Sequence, residues 1–335
     1  FLWRPPMAVR SEAEVRAAYV ESRKDGQERR ILLSFESPKS ERFLLGKELE
    51  PAEPFRLIGV ATDRYSPVQA IFADFNGDGK LDITVTNADS ASVSILLNQG
   101  NGTFPLSNPT VPAGPKPYYL ATPDIDSDGL TDIVVVNDPL STTGNSQGSF
   151  LVSQGNGGFT PYINVNVMDI LMPGLNIYGP LITSDVNNDG KQDILLAGYT
   201  AEATISIYLG NGNGTFQSRS TLGGATQPWG VNTADLNSDG NQDIIYNSSG
   251  GTFIRVALGN GNGTFQSGTN YTVGSNAWGS RVADFNGDGR LDILVNDSSN
   301  DTVSLLLGNG NGTFQSRTTI AMGDQPQWLA VGDIN

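Results

Sequence analysis

The chain has 335 residues, 40 of them glycine, a formal charge of −15, and neither cysteine nor histidine. Those two absences exclude disulfides, thiolate nucleophiles, histidine-bound zinc and Ser-His-Asp relays. Abundant glycine, 8% aromatics and no apolar run of membrane-spanning length predict a turn-rich, all-β protein without a membrane span.

The charge is unevenly placed. Residues 1–54 carry ten bases and ten acids, so the whole deficit lies in 55–335, where 25 acids face ten bases. Such an acidic body argues against a nucleic-acid partner. No basic-then-apolar leader is visible after Phe1.

Two readings of the N-terminal region compete over residues 21–24. Ser11 and Glu14 form a capping-box pattern, which predicts that the segment 1–20 enters a short helix running to about Lys24. Spacing supports a degenerate repeat over about 21–65 instead. Ile31 and Gly46 stand fifteen apart, as Ile293 and Gly308 do, and Phe55 precedes Asp74 by nineteen, as Phe216 precedes Asp235. The loop of that repeat would be "ESRKDGQ", with Glu21 and Asp25 acidic, Gly26 at the turn and Arg23 as a built-in cation.

From Ala73 the chain reads "ADFNGDGKLD", a density of carboxylates that repel one another and compete with regular backbone. The motif returns as "DIDSDGLTD" at Asp124, "DVNNDGKQD" at Asp185, "DLNSDGNQD" at Asp235 and "DFNGDGRLD" at Asp284, and begins again as "DIN" at Asp333. The steps are 50, 61, 50, 49 and 49 residues. A second marker, "NQGNGTF" ending at Phe104, recurs in phase as "QGNGGF" to Phe159 and "GNGNGTF" to Phe216, Phe265 and Phe314. Between markers lie short strand-like runs such as "LDILVND" and "TVSLLLG". Four short strands per unit of about fifty residues predict the four-stranded blades of a β-propeller.

Oxygen donors at positions 1, 3 and 5, a glycine at 6, a backbone carbonyl at 7 and a carboxylate at 9 describe a cage for a hard cation, calcium by preference. The predicted ligands are Asp74, Asn76, Asp78, Lys80 and Asp82; Asp124, Asp126, Asp128, Leu130 and Asp132; and Asp185, Asn187, Asp189, Lys191 and Asp193. Two more sets are Asp235, Asn237, Asp239, Asn241 and Asp243, and Asp284, Asn286, Asp288, Arg290 and Asp292. Position 7 acts through its carbonyl in each of the five. An EF-hand would need a glutamate at position 12, where Val85, Val135, Leu196, Tyr246 and Val295 stand.

On these motifs, residues 55–335 resemble FG-GAP/VCBS repeat proteins, whose blades are similar to those of the integrin α-subunit propeller. The resemblance implies a seven-bladed propeller, about five bound calcium ions, an extracellular setting and a role in adhesion or ligand binding. Starts near 21, 74, 124, 185, 235, 284 and 333 make seven units, the last truncated, so a natural protein is expected to continue past Asn335.

If strands run outward within each blade, acidic loops and glycine turns share one face. Extra residues near 138–147 and 165–177 then meet on the other. Tyr118, Trp229 and Trp278 each precede a loop aspartate by six residues, and Trp328 by five. Such aromatics stack on sugars, anchor a protein partner or wedge adjacent blades. The repeated "NGT" matches a glycosylation sequon, although tight turns also select Asn-Gly. The expected function is non-catalytic binding of an extracellular protein or polysaccharide. The alternative is the propeller part of a polysaccharide lyase or hydrolase, for which Glu202 is the only glutamate after Glu53.

Overall fold

The computed structural model describes residues 16–24, 27–35, 43–48, 58–60, 67–88, 90–100, 103–104, 110–137, 148–160, 181–197, 204–224, 228–248, 250–322 and 329. Over 16–60, 67–70, 118, 248 and 278 this description covers backbone alone. The fold is all-β, with a single 3-10 turn at Ser298–Asn300 among the described residues.

Among the described residues, six antiparallel sheets follow in chain order. The first comprises β1 (Arg16–Lys24), β2 (Gln27–Phe35), β3 (Phe43–Glu48) and β4 (Ile58–Val60), and the second β5 (Pro67–Ala73), β6 (Asp82–Asn87), β7 (Ser92–Leu96) and β8 (Thr110–Pro112). The third has three described strands, β9 (Pro117–Ala121), β10 (Ile133–Asn137) and β11 (Gly148–Leu151). The fourth is β12 (Leu181–Ser184), β13 (Asp193–Ala197), β14 (Ile205–Tyr208) and β15 (Ser220–Leu222). The fifth is β16 (Pro228–Ala234), β17 (Asp243–Ser248), β18 (Phe253–Ala257) and β19 (Thr269–Thr272). The sixth is β20 (Ala277–Ala283), β21 (Asp292–Asp297), β22 (Thr302–Leu306) and β23 (Thr318–Ala321).

Every four-stranded sheet is a simple meander in sequence order. From the second sheet onward the first strands touch in succession, β5 with β9, β9 with β12, β12 with β16 and β16 with β20. The sheets therefore radiate from their first strands in a propeller-like arrangement. Asn232 ties two of these inner strands, donating through Nδ2 to the Ser280 carbonyl at 2.8 Å and its Oγ at 2.9 Å.

The second strands of the third, fourth and fifth sheets are buried along both faces, so their sequences are near-continuous apolar runs whose alternate residues enter different cores. Ile133 and Val135 pack toward the second sheet with Phe75, Val93 and Ile95, while Val134 and Val136 pack toward the fourth with Ile194, Leu196 and Tyr208. Leu195 and Ala197 then join Val231, Ile244 and Tyr246. Ile245 joins Ile293 and Val295 in the next layer. The phenylalanine closing a glycine turn reaches back into the preceding sheet: Phe159 meets Phe75 edge-on at 5.9 Å, Phe216 stacks on Phe150 at 5.5 Å and Phe314 meets Tyr271 edge-on at 5.3 Å.

In the N-terminal region a four-stranded sheet spans 16–60, while the helix and the acidic loop expected there are not formed. Arg16–Lys24 is strand and not the helix expected from Ser11 and Glu14; alternation in "RAAYVESRK" pairs it with "QERRILLSF". The register closes at Lys24↔Gln27, leaving two residues between, so Glu21, Ser22 and Arg23 lie in a strand opposite Arg30, Arg29 and Glu28. Asp-Gly is a two-residue hairpin signal, which here overrides the loop reading of "ESRKDGQ". Residues 1–15, the insertions at 138–147 and 161–180, Trp328 and the last repeat from Asp333 lie outside the described residues.

Candidate metal centres

Each acidic loop joins the first and second strands of its sheet, and each glycine turn follows the third, so both emerge on one face as strand order demands. Inside the loop, the first aspartate organises the backbone. Asp74 Oδ1 accepts from Gly77 N at 2.7 Å and Oδ2 from Gly79 N at 2.7 Å. Asp124 accepts from Gly129 N at 2.9 Å, Asp185 from Gly190 N at 2.8 Å, Asp235 from Gly240 N at 2.9 Å and Asp284 from Gly289 N at 2.7 Å. The glycine at position 6 holds φ between 78° and 86° in all five copies, a left-handed conformation that side chains disfavour. Position 4 is also left-handed, and there Ser127, Asn188 and Ser238 accept φ of 58° to 61°. These short Asx-turn bonds bend positions 1, 3 and 5 toward a common centre.

Position 9 has a second task that spacing alone did not reveal. Asp82, Asp132, Asp193, Asp243 and Asp292 are fully buried. In each, Oδ2 accepts from the amide of loop position 2, namely Phe75, Ile125, Val186, Leu236 or Phe285, at 2.8 to 3.0 Å. Oδ1 accepts from the first residue of the glycine turn, namely Asn98, Ser153, Gly210, Gly259 or Gly308, at 2.7 to 2.8 Å. The ninth residue thus latches the acidic loop to the glycine turn, and each oxygen retains a lone pair for another partner.

A staple also crosses between sheets. Gly214, Gly263 and Gly312 donate their amides to the carbonyls of Ile125, Val186 and Leu236 in the preceding acidic loop, at 3.0 to 3.2 Å. Asn188 Nδ2 donates to Asn241 Oδ1 at 2.7 Å, joining two successive loops directly. The third glycine of "GNGNGTF" is the sequence signal for the amide staple, and its reach across sheets is visible only in three dimensions.

Burial sets the electrostatics of position 9. It raises the carboxyls of Asp82 and Asp243, and pushes Asp132 and Asp193 up to about 6, against the backbone N–H bonds that favour the charged form. Three exposed members shift the other way. Asp78 is held low by Lys80, Asp239 by the amide of Asn241, and Asp284 by the amide of Gly289.

The residues present fit a hard divalent cation. One oxygen from each of Asp124, Asp126 and Asp128 lies within 4.8 Å of the others. Asp126 Oδ1 is buried without a hydrogen-bond partner, a costly state for a carboxylate that a cation would relieve. In the other four loops the third residue is asparagine, whose carbonyl oxygen is a neutral donor for the same centre.

On the opposite face, Trp229 is half-buried on β16 at a register shift between Pro228 and Gly230. Tyr118 falls at the equivalent irregularity, since Val136 pairs with Tyr119 and Asn137 with Pro117. Trp278 lies inside the shift from Ala277 to Ser280. Bulges of this kind re-aim a residue at a strand end. The side chains of Tyr118 and Trp278, and all of Trp328, lie outside the described residues. The "NGT" segments at 213, 262 and 311 are tight turns, in which Asn213, Asn262 and Asn311 Oδ1 accept from the hydroxyl of the threonine two residues on at 2.6 Å.

A family model described as FG-GAP-like repeat matches residues 74–135, 185–246, 235–295 and 284–335. Among solved structures, one on specific recognition of non-reducing terminal N-acetylglucosamine by an Agrocybe aegerita lectin superposes with a TM-score of 0.62 at 19% identity. That superposition covers 92% of this chain and 81% of the lectin, a likeness of fold. The Photorhabdus luminescens Tc holotoxin pore aligns at a TM-score of 0.42 and 13% identity over 90% of this chain and 15% of its own. No curated protein matches the chain.

Proposed function

The chain belongs to the FG-GAP-like repeat family, and from that premise we propose that it is a non-catalytic, calcium-stiffened binding propeller acting outside the cell, with a carbohydrate as its ligand. The observation that carries the calcium reading is the repeated loop, above all the Asp124, Asp126 and Asp128 cluster with its orphaned buried oxygen. Bound calcium would supply the positive charge that offsets the mutual repulsion of positions 1, 3, 5 and 9 in each loop. The chain's own residues do the rest: position 1 shapes the turn, position 9 ties it to the glycine turn, and the amide staple passes the restraint to the next sheet. Sites built this way in extracellular modules bind at about 10⁻⁴ to 10⁻³ M, which suits a millimolar-calcium setting. The full ring of this reading has seven blades, counting the sheet at 16–60 and the repeat begun at Asp333.

The likeness of fold to a sugar-specific lectin supports a carbohydrate over a protein partner. So do the bulge positions of Tyr118, Trp229 and Trp278, since an aromatic at a strand end can stack on a pyranose face. The raised carboxyls of Asp132 and Asp193 are not read as general acids, because both their oxygens are bound by backbone amides under the loop. The test is a glycan array probed with and without calcium, alongside a lyase assay on acidic polysaccharides. Calcium-dependent retention on a defined set of terminal sugars, without bond cleavage, is the expected result. A blank array together with released unsaturated oligosaccharides would overturn it.

A further inference from the structure

The five loops share a backbone but differ in what faces the outer oxygen of the fifth-position carboxylate. In the loop at Asp74, Lys80 Nζ lies 2.7 Å from Asp78 Oδ2, and in the loop at Asp185, Lys191 Nζ lies 3.4 Å from Asp189 Oδ2. In the loops at Asp235 and Asp284 the third-position amide takes that place. Asn237 Nδ2 donates to Asp239 Oδ2 at 2.9 Å, and Asn286 Nδ2 to Asp288 Oδ2 at 3.1 Å. Each of these carboxylates therefore already has an internal substitute for a cation. The loop at Asp124 has neither device, because its third residue is Asp126 and its seventh is Leu130. It alone combines four carboxylates with no basic residue; the loop at Asp235 has three and no basic residue, and the others have three with Lys80, Lys191 or Arg290.

Resting on the calcium reading above, we propose that the loop Asp124 to Asp132 is the tight calcium site of this chain and that Asp126 sets its rank. The loop at Asp235 fills next, and the three loops carrying Lys80, Lys191 and Arg290 fill last. Calcium affinity in oxygen cages follows ligand charge and the rigidity of the site. Binding at Asp124 to Asp132 relieves repulsion among Asp124, Asp126 and Asp128 and gives Asp126 Oδ1 its missing partner, whereas binding beside Lys80 must first displace an ammonium. The site is also rigid. Asp132 holds the amides of Ile125 and Ser153, and the Ile125 carbonyl is bound by Gly214 from the next sheet.

The test is equilibrium dialysis of the full chain, stripped of metal and titrated with calcium alone. A first equivalent binding at least about tenfold tighter than the rest is expected. Asp126→Asn moves that equivalent into the weak phase, while Lys80→Leu moves one weak equivalent the opposite way and needs no loss of stability to be read. A single uniform phase, an undiminished first equivalent in Asp126→Asn, or an unchanged titration in Lys80→Leu would overturn the ranking while leaving the calcium reading intact. Absence of any calcium binding would overturn both.

Discussion

Within the loops, neighbouring aspartates have opposite duties, and mutation separates them. Asp193 accepts from two buried amides, so Asp193→Leu leaves both unsatisfied and should cost about 2–5 kcal/mol even without metal. Asp189→Asn, four residues earlier in the same loop and exposed, should leave metal-free stability within about 0.5 kcal/mol. Paired denaturant titrations in a chelator check this; equal losses would contradict the latch. The same burial predicts a pH dependence. Asp132 and Asp193 sit at about 6, above the ordinary carboxylate value, so each holds its proton more tightly folded than unfolded. Their contribution is present in full below about pH 4 and is lost as pH rises through about 6. The lowered Asp78, Asp239 and Asp284 act in the opposite sense and below that window. Melting of the metal-free protein should therefore decline from pH 4 to 6 while the increment from added calcium grows; a rising metal-free curve would contradict it. The acidic positions were legible in the sequence because spacing repeats five times. The latch was not, since a ninth-position aspartate reads alike as metal ligand or amide acceptor until its burial is known.

Among the turns, the last three sheets place a glycine where two backbones meet closely. A methyl on Gly259 would run into the carbonyl of Gln242, as at Gly210 against Gln192 and Gly308 against Leu291. Gly259→Ala should therefore cost about 1–3 kcal/mol, read from its urea midpoint, and a neutral effect would show that the turn shifts freely. Asn98 and Ser153 fill that place in the second and third sheets, and Asn98 answers by donating Nδ2 to the Leu81 carbonyl. Strand content was readable because both-face burial writes apolar runs such as "DIVVV" and "DILLA" into the second strands of the central sheets. The first sheet was half-legible: its spacing matched the later repeats, but a capping box mimicked a helix over residues that pair as β1. Local hydrogen-bonding signals are weak beside a nine-residue antiparallel register.

Across the molecule, the latch and staple would make the proposed calcium binding a property of the assembled sheets. Charge in the acidic loops opposes compaction, while core layers between successive sheets and the Gly214, Gly263 and Gly312 bonds favour it. If each of the five proposed sites reaches tenfold saturation it would add roughly 1.4 kcal/mol, so the five together would add about 7, comparable with the stability margin of a whole domain. At a few degrees per kcal/mol this corresponds to a rise of roughly 15 °C. The direct measurement is differential scanning calorimetry of the full chain at neutral pH in millimolar calcium and again in excess EDTA. A melting temperature lower by about 15 °C in EDTA, restored when calcium is returned, is the predicted result; superimposable melts would contradict it.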